Sequence, residues 1–237
     1  MLSVRKLTLK SNDIKGLKIV FVSDFHLSKL AKKRLQRIVD KVNEQNADII
    51  ISGGDYVINH NADISLDMDI AAKMLSSMKS KYGTYSVLGN HDYFKDNDYI
   101  KENLIKYGIK ILENSNYKVD INGSPLYIAG ISDMQTTFID LNKALKDAKK
   151  PIILVSHSPD ITPVAKDRVN LILSGHTHGG QFRLPFYGAL IVPSKYGKKY
   201  ELGYVDNIVY VTRGLGTSII KARFNCRPEI TVIEFLN

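Results

Sequence analysis

Apolar and polar positions follow two rhythms along this chain. "KIVFVSD" (18–24) is a continuous apolar run that ends in an acid, the pattern of a strand buried on both faces. In "AKKRLQRIVDKVNEQN" (31–46), Leu35, Ile38, Val39 and Val42 recur at helical spacing. "ADIIISGGD" (47–55) returns to a buried strand, ending in glycines and an acid. Strand, helix and strand of these lengths predict a βαβ unit with a right-handed crossover. The alternation continues with a helix over 66–80, the strand "TYSVLGN" (84–90) and a helix near 97–107. "GIKIL" (108–112), "YKVDI" (117–121) and "PLYIAGIS" (125–132) read as sheet, and a helix is expected near 138–148. The strands "PIILVSHSPD" (151–160) and "VNLILSGHTH" (169–178) follow. After Gly180 the rhythm shortens to "ALIVP", "KYELGYV", "NIVYVTRG" and "EITVIEF", short strands separated by turns. No repeat, low-complexity tract or linker interrupts the pattern. The expectation is one α/β domain over residues 1–237.

Five predicted strands end in polar clusters: Asp24-Phe25-His26, Asp55, Asn90-His91-Asp92, His157 and His176-Thr177-His178. In open α/β sheets the loops at the carboxyl ends of strands converge, and ligands bind there. Clusters far apart in sequence would then share one place in space. Five of the six histidines belong to them.

Composition narrows the setting. Apolar residues make up 44% of the 237, enough for a substantial core. No window approaches a membrane-spanning length of apolar residues, and "MLSVRKLTLKSNDIKG" lacks a signal-peptide pattern. The lone Cys226 has no internal disulfide partner, which suits a reducing cytoplasm. The formal charge of +9 suits nucleic acid, anionic lipid or phosphorylated small molecules as partners, or serves solubility alone.

Carboxylate, imidazole and amide oxygen together suit divalent cations such as Mn²⁺, Fe²⁺ or Zn²⁺. No cluster contains a thiolate, which argues against a structural zinc of the cysteine type. Asp24, His26, Asp55, Asn90, His157, His176 and His178 are too many for one ion and supply two sites well. Two such ions a few ångströms apart suit attack of an activated water on phosphorus. His91 sits beside a ligand without being needed as one, so it is the candidate general acid for the leaving oxygen. Asp92 either orients His91 or caps the following loop.

The motifs "DFH" (24–26), "GGD" (53–55), "GNHD" (89–92), "SH" (156–157) and "GHTH" (175–178) occur in the order found in the calcineurin-like metallophosphoesterases. The chain resembles that family from about residue 18 to its C-terminus. The resemblance implies a four-layer α/β/β/α sandwich with mixed central sheets. It also implies one ion on Asp24, His26, Asp55 and His178, and another on Asp55, Asn90, His157 and His176. Asp55 would bridge, and His91 would be the phosphate-contacting catalytic histidine. His176 and His178 would face opposite ions, with Gly175 and Gly179 letting their loop turn sharply.

"SGHTHGGQFRLPFYGALIVPSKYGKKYELGYV" and "TRGLGTSIIKARFNCRPEI" resemble bacterial relatives of UDP-2,3-diacylglucosamine pyrophosphatases and similar phosphodiesterases. Protein serine/threonine phosphatases of the family read GDxVDRG where this chain has "GDYVINH", with Ile58 in place of an aspartate. The function implied is hydrolysis of a phosphodiester or pyrophosphate, with a nucleotide-linked glycolipid or other lipid-like molecule as substrate. A nuclease is the alternative; a catalytically inactive scaffold is disfavoured because every motif position is filled.

Residues 182–200 set Phe182, Leu184, Phe186, Tyr187, Leu190, Ile191 and Val192 before Lys195, Lys198 and Lys199. This suits an anionic membrane boundary or an acyl chain with its phosphate; the alternative is a hairpin packed on the sheet with solvated lysines. The expected location is cytoplasmic, with peripheral contact at the inner membrane face. His60 reads as a loop histidine, Arg213 as a carboxylate partner or phosphate contact, and Tyr56 as packing. Lys221, Arg223 and Arg227 read as a solvated basic edge.

Overall fold

Branched aliphatic runs too short for helices and apolar on both faces must lie between two covered layers, and that requirement organises the molecule. A computed structural model describes residues 2–11, 13–58, 65–94, 96–218 and 220–236. His60 lies outside the described residues. In chain order the elements are β1 (Ser3–Lys10), β2 (Lys18–Val22), α1 (Lys32–Asn43), β3 (Ile49–Ser52), α2 (Met68–Leu75), β4 (Thr84–Ser86) and α3 (Asn90–Tyr93). They continue as α4 (Asn97–Lys106), β5 (Lys110–Ile111), β6 (Ser115–Ile121), β7 (Ser124–Gly130), α5 (Leu141–Ala144), β8 (Ile152–Ser156), α6 (Thr162–Ala165) and β9 (Leu171–Ser174). The last are β10 (Arg183–Leu184), β11 (Gly188–Ala189), β12 (Gly203–Val205), β13 (Val209–Val211) and β14 (Glu229–Leu236).

One sheet runs β1-β14-β2-β3-β4-β5 and the other β12-β13-β9-β8-β7-β6. Each has a parallel centre: β2 to β5 in the first, and β13, β9, β8 and β7 in the second. Antiparallel pairing enters at β14–β2, β12–β13 and β6–β7, so both sheets are mixed. Three apolar layers define the sandwich. Ile19, Phe21, Ile49 and Ile51 from the first sheet pack with Ile128, Ile153, Val155 and Leu173 from the second. Val20, Val22 and Ile50, on the other face of the first sheet, meet the α1 stripe Leu35, Ile38, Val39 and Val42. Leu154, Ile172 and Val211, on the outer face of the second, meet Ala144 of α5 and Ala165 of α6. The four-layer α/β/β/α arrangement is the expected one. Each of the α1 side chains contributes about 1.5–3 kcal/mol by leaving water, so a charge at Ile38 would separate that helix from its sheet.

The differences are local. β1 was not anticipated; it pairs parallel to β14 at the edge, and its half-exposed pattern leaves Val4, Leu7 and Leu9 as a weak apolar signal. The helix expected near 138–148 is only the single turn Leu141–Ala144. "ALIVP" forms no strand beyond Ala189, because the chain there lines a cavity instead of a sheet. None of the described helices is long and apolar enough to cross a membrane.

Candidate metal centre and its cavity

The parallel strands end level with one another. Val22, Ser52 and Ser86 are in register in the first sheet, and Ser156, Ser174 and Val211 in the second. The polar clusters therefore emerge at one edge of the sandwich, where the two sheets are stitched together. His157 Nδ1 lies 2.7 Å from the Gly53 carbonyl, the His176 amide donates to Asp24 Oδ1 at 2.9 Å, and the Leu215 amide donates to the Ser23 carbonyl at 3.0 Å.

Backbone strain is concentrated here. Asp24, His26, Asp55, His176 and His178 have φ of 55°, 42°, 56°, 67° and 53°, the left-handed region that side chains other than glycine rarely adopt. Such conformations cost about 1–3 kcal/mol each and persist only where the surroundings enforce them. They turn each chain back sharply so that its side chain points at the common edge. The HxH loop owes its turn to both histidines as well as to Gly179, at φ 60°. Gly175 serves differently from the expectation: a Cβ there would sit 2.2 Å from Ser23 Oγ and 2.5 Å from Asp24 Oδ2. Gly89 is constrained likewise, since a Cβ would meet Asp55 Oδ1 at 2.3 Å.

All seven expected ligand residues come together. Asp24, His26, Asp55 and His178 offer atoms within 4.8 Å of one another. His26 Nε2 is 3.1 Å from His178 Nε2, and His178 Nε2 is 3.5 Å from Asp24 Oδ1. The other residues gather around His157 Nε2, which lies 3.1 Å from Asn90 Oδ1 and 3.2 Å from His176 Nδ1. Asp55 Oδ2 joins the two groups, 3.4 Å from His26 Nε2 and 3.3 Å from His157 Nε2. His176 and His178 thus face different groups.

The electrostatics favour cations. Burial pulls His26 down to about 4, His176 to about 3 and His178 well below its ordinary value, so these imidazoles are held neutral, the form that coordinates. Burial pushes Asp24 up to about 6 against the opposing charge of His157. Burial works against the charged forms of Asp55 and His157 too, but their mutual attraction outweighs it. His157 rises to about 10 and the Asp55 carboxyl is held far below the usual range. Asp24 Oδ2 is buried with no hydrogen-bond partner among the described residues. A buried carboxylate oxygen left without a partner is what a bound cation would satisfy, so the donor set fits divalent metal.

His91 is the second residue of α3, and its amide donates to Asp55 Oδ1 at 2.9 Å. Its ring lies edge-on to His26 with centroids 4.7 Å apart and lines the cavity beside the cage. Two roles were expected for Asp92, orienting His91 or capping the loop that follows, and its hydrogen bonds show another. Its Oδ1 accepts the amides of Tyr56 and Val57 at 2.8 and 3.3 Å, and its Oδ2 those of Asp55 and Gly89 at 2.8 and 3.0 Å. It is a fully buried anchor for the loop that carries Asp55 and for the start of its own helix, because four convergent amides hold a carboxylate better than one ring nitrogen could.

Other side chains support the cage without having been anticipated. Arg34 of α1 donates to the carbonyls of Phe25, His26 and Leu215. Gln135 Nε2 lies 2.9 Å from His176 Nε2. It follows "GISD" at the end of β7, one more polar cluster at a strand terminus and hence a signal the sequence did carry. Arg223 corrects the expectation of a solvated edge: it donates to the carbonyls of Arg213 and His178 at 2.8 and 3.3 Å and approaches His178 Nδ1 at 3.3 Å. Arg213 pairs with Glu229 at 3.4 Å. Tyr56 packs on Phe25, with its hydroxyl 2.7 Å from both Ser52 and Ser86.

Above the cage lies a cavity of about 470 Å³. Asp55, Asn90, His91, His176 and His178 form its polar floor; Phe182, Leu190, Ile191, Pro193 and Ile220 form an apolar wall. Most of the apolar side chains of segment 182–200 therefore do not pack on a sheet, although Tyr200 at its end is buried in the layer outside the second sheet. Among the described residues β10 and β11 form a two-stranded sheet of their own, and Leu184, Phe186, Tyr187, Leu190 and Ile191 are exposed.

A family model described as calcineurin-like phosphoesterase matches residues 17–180. The chain is 34% identical to the uncharacterized metallophosphoesterase YkuE of Bacillus subtilis (strain 168), across 98% of this chain and 85% of that protein. It is 32% identical to the phosphodiesterase YaeI of Escherichia coli (strain K12), across 92% of this chain and 82% of that protein. Among solved structures, the calcineurin-like phosphoesterase YfkN from Bacillus subtilis aligns with a TM-score of 0.50 at 16% identity, across 84% of this chain and 82% of that one. That last likeness is one of fold.

Proposed function

Because the chain belongs to the calcineurin-like phosphoesterase family and is a phosphohydrolase, we propose that it hydrolyses a phosphodiester or pyrophosphate bond of a lipid-like molecule over two divalent cations. Asp24, His26, Asp55 and His178 would hold one cation, and Asp55, Asn90, His157 and His176 the other. Mn²⁺, Fe²⁺ and Zn²⁺ all suit these donors. The observation that carries the reading is the position of Asp55 Oδ2, within 3.4 Å of a ligating nitrogen in each group. When bound, such a pair of cations neutralises charge on the phosphoryl oxygens and makes water acidic enough to attack at neutral pH.

The protein's own groups do the rest. Burial keeps the imidazoles of His26, His176 and His178 neutral and ready to coordinate, and Asp92 fixes the Asp55 backbone through two successive amides. His91 faces the space where the phosphate would lie and gives its ring proton to the leaving oxygen as the phosphorus–oxygen bond breaks. The aliphatic wall of Leu190, Ile191, Pro193 and Ile220 takes the apolar portion of the substrate. A nucleic-acid substrate would call for a basic track with stacking aromatics lining the cavity itself, and the wall there is mainly aliphatic, with Phe182 beside Leu190, Ile191, Pro193 and Ile220.

His91→Ala tests the assignment. Metal content measured by elemental analysis should remain that of the wild type, while turnover of an alkyl phosphodiester falls about 10²–10⁴-fold. The loss should shrink with bis(p-nitrophenyl) phosphate, whose phenolate leaves with little need of a proton. Loss of metal, or an equal loss on both substrates, would remove His91 from the role of acid.

A further inference from the structure

The hairpin formed by β10 and β11 carries an aromatic tip that the fold itself does not use. Pro185, Phe186 and Tyr187 make the turn, and Phe186 has φ 63° with its side chain wholly exposed, at 112% of the reference area. A bulky residue in the left-handed region is strained, and an aromatic ring in water is unfavourable as well. Glycine or asparagine would relieve both. An outlier of this kind points to a role outside the folded chain.

The tip does not stand alone. Gln181 ties the hairpin to the loop that follows β13: its Oε1 accepts the Ser218 amide at 2.6 Å and its Nε2 donates to the Ile220 carbonyl at 3.0 Å. A bridge between Phe182 and Phe224 extends the join. Leu184, Phe186, Tyr187, Leu190, Ile191, Ile220 and Phe224 thus belong to one rim, all of them exposed. Lys195 and Lys221 are exposed beside them in the chain, and Lys198 lies 3.2 Å above the Tyr187 ring. Leu190, Ile191 and Ile220 also line the cavity, so the apolar surface runs from the tip to the candidate metal centre.

We infer that this rim docks the protein onto an anionic bilayer, with the Phe186 tip entering the headgroup–acyl boundary and the lysines meeting lipid phosphates. The inference deepens the lipid-like substrate proposed above, because a chain leaving the bilayer along the rim meets the cavity wall directly. A bilayer suits the rim for two reasons. Ammonium groups border apolar bulk at the tip, and the whole chain carries a formal charge of +9, complementary to an anionic surface. A contiguous exposed apolar patch is otherwise a liability.

Flotation of the full chain with vesicles of phosphatidylcholine, with or without phosphatidylglycerol, tests it. At low salt the anionic vesicles should carry at least about ten times more protein than neutral ones, and chelator should not change this, so docking is read independently of hydrolysis. Phe186→Gly relieves the strained backbone and therefore threatens neither the fold nor turnover of a soluble chromogenic diester. It should lower vesicle binding about fivefold. Equal partition onto both vesicles, or wild-type binding by Phe186→Gly, would overturn the inference. So would sedimentation showing that the rim joins two copies of the chain, with no vesicle binding.

Discussion

The floor and the rim of one cavity are built on opposite terms. The floor and the cage beneath it consist of strand termini: Asp24, Asp55, His157 and His178 are buried, with the Asp55 amide held by Asp92, the His157 ring by the Gly53 carbonyl and the Asp24 carboxylate by the amide of His176. The rim consists of a two-residue hairpin pair and a loop, its apolar side chains exposed and its backbone tied down by Gln181 and by the Arg183–Glu201 pair. Strain appears in both, at five candidate ligand positions below and at Phe186 above. Below, it is enforced by dense packing around groups that must converge within a few ångströms. Above, no packing rewards it. On the function proposed above, the contrast would separate the part that attacks phosphorus from the part that selects which molecule arrives.

The largest effect should come from the floor's shared oxygen. Asp55→Asn keeps the shape of the side chain but removes the charge that faces both nitrogen groups. Metal content should fall below that of the wild type, and turnover of bis(p-nitrophenyl) phosphate should drop at least about 10³-fold, the loss expected when a two-metal site is broken. Elemental analysis and the same assay read both. Full occupancy with near-normal turnover would mean that Asp55 is not shared, and the floor would then be one site rather than two.

Asp92 should give the next largest change, in stability before chemistry. Its carboxylate holds four amides in a fully buried place. Asp92→Ala leaves those donors unpaired, and the cost is about 3 kcal/mol. For a chain of this size that lowers the melting temperature by roughly 6–12 °C. Differential scanning calorimetry checks it. A shift under about 2 °C together with a large loss of turnover would return Asp92 to the role of orienting His91.

The sequence made the floor legible and left the rim obscure, for physical reasons. Strand-end clusters such as Asp24-Phe25-His26 and His176-Thr177-His178 are dense in groups that are unfavourable when buried, so their repetition at predicted strand ends carries information. The central strands were equally clear, because Lys18–Val22 and Ile49–Ser52 are too apolar to lie anywhere but in a covered sheet. The edge strand Ser3–Lys10 was not, since half-exposed residues leave no firm period. Asp92 and Arg223 show another limit. Their partners are backbone amides and carbonyls brought near by folding, and a side chain's type does not reveal which of these it will meet. "ALIVP" failed for a third reason: an apolar run reads as a strand whether it packs on a sheet or lines a cavity.

The smallest effect belongs to the rim, and it sharpens the comparison most. Leu190 is half exposed and lines the wall, so only part of a leucine's transfer energy is available to a bound chain, about 1 kcal/mol. Leu190→Ser should therefore raise KM about fivefold for a decyl p-nitrophenyl phosphodiester, with less change for the methyl homologue, whose alkyl group is too short to reach the wall. The pair of homologues matters more than either value. A penalty that grows with chain length places the loss on the wall. An equal penalty on both would mean that Leu190 shapes the metal centre, and the floor and rim would then act as one unit rather than two.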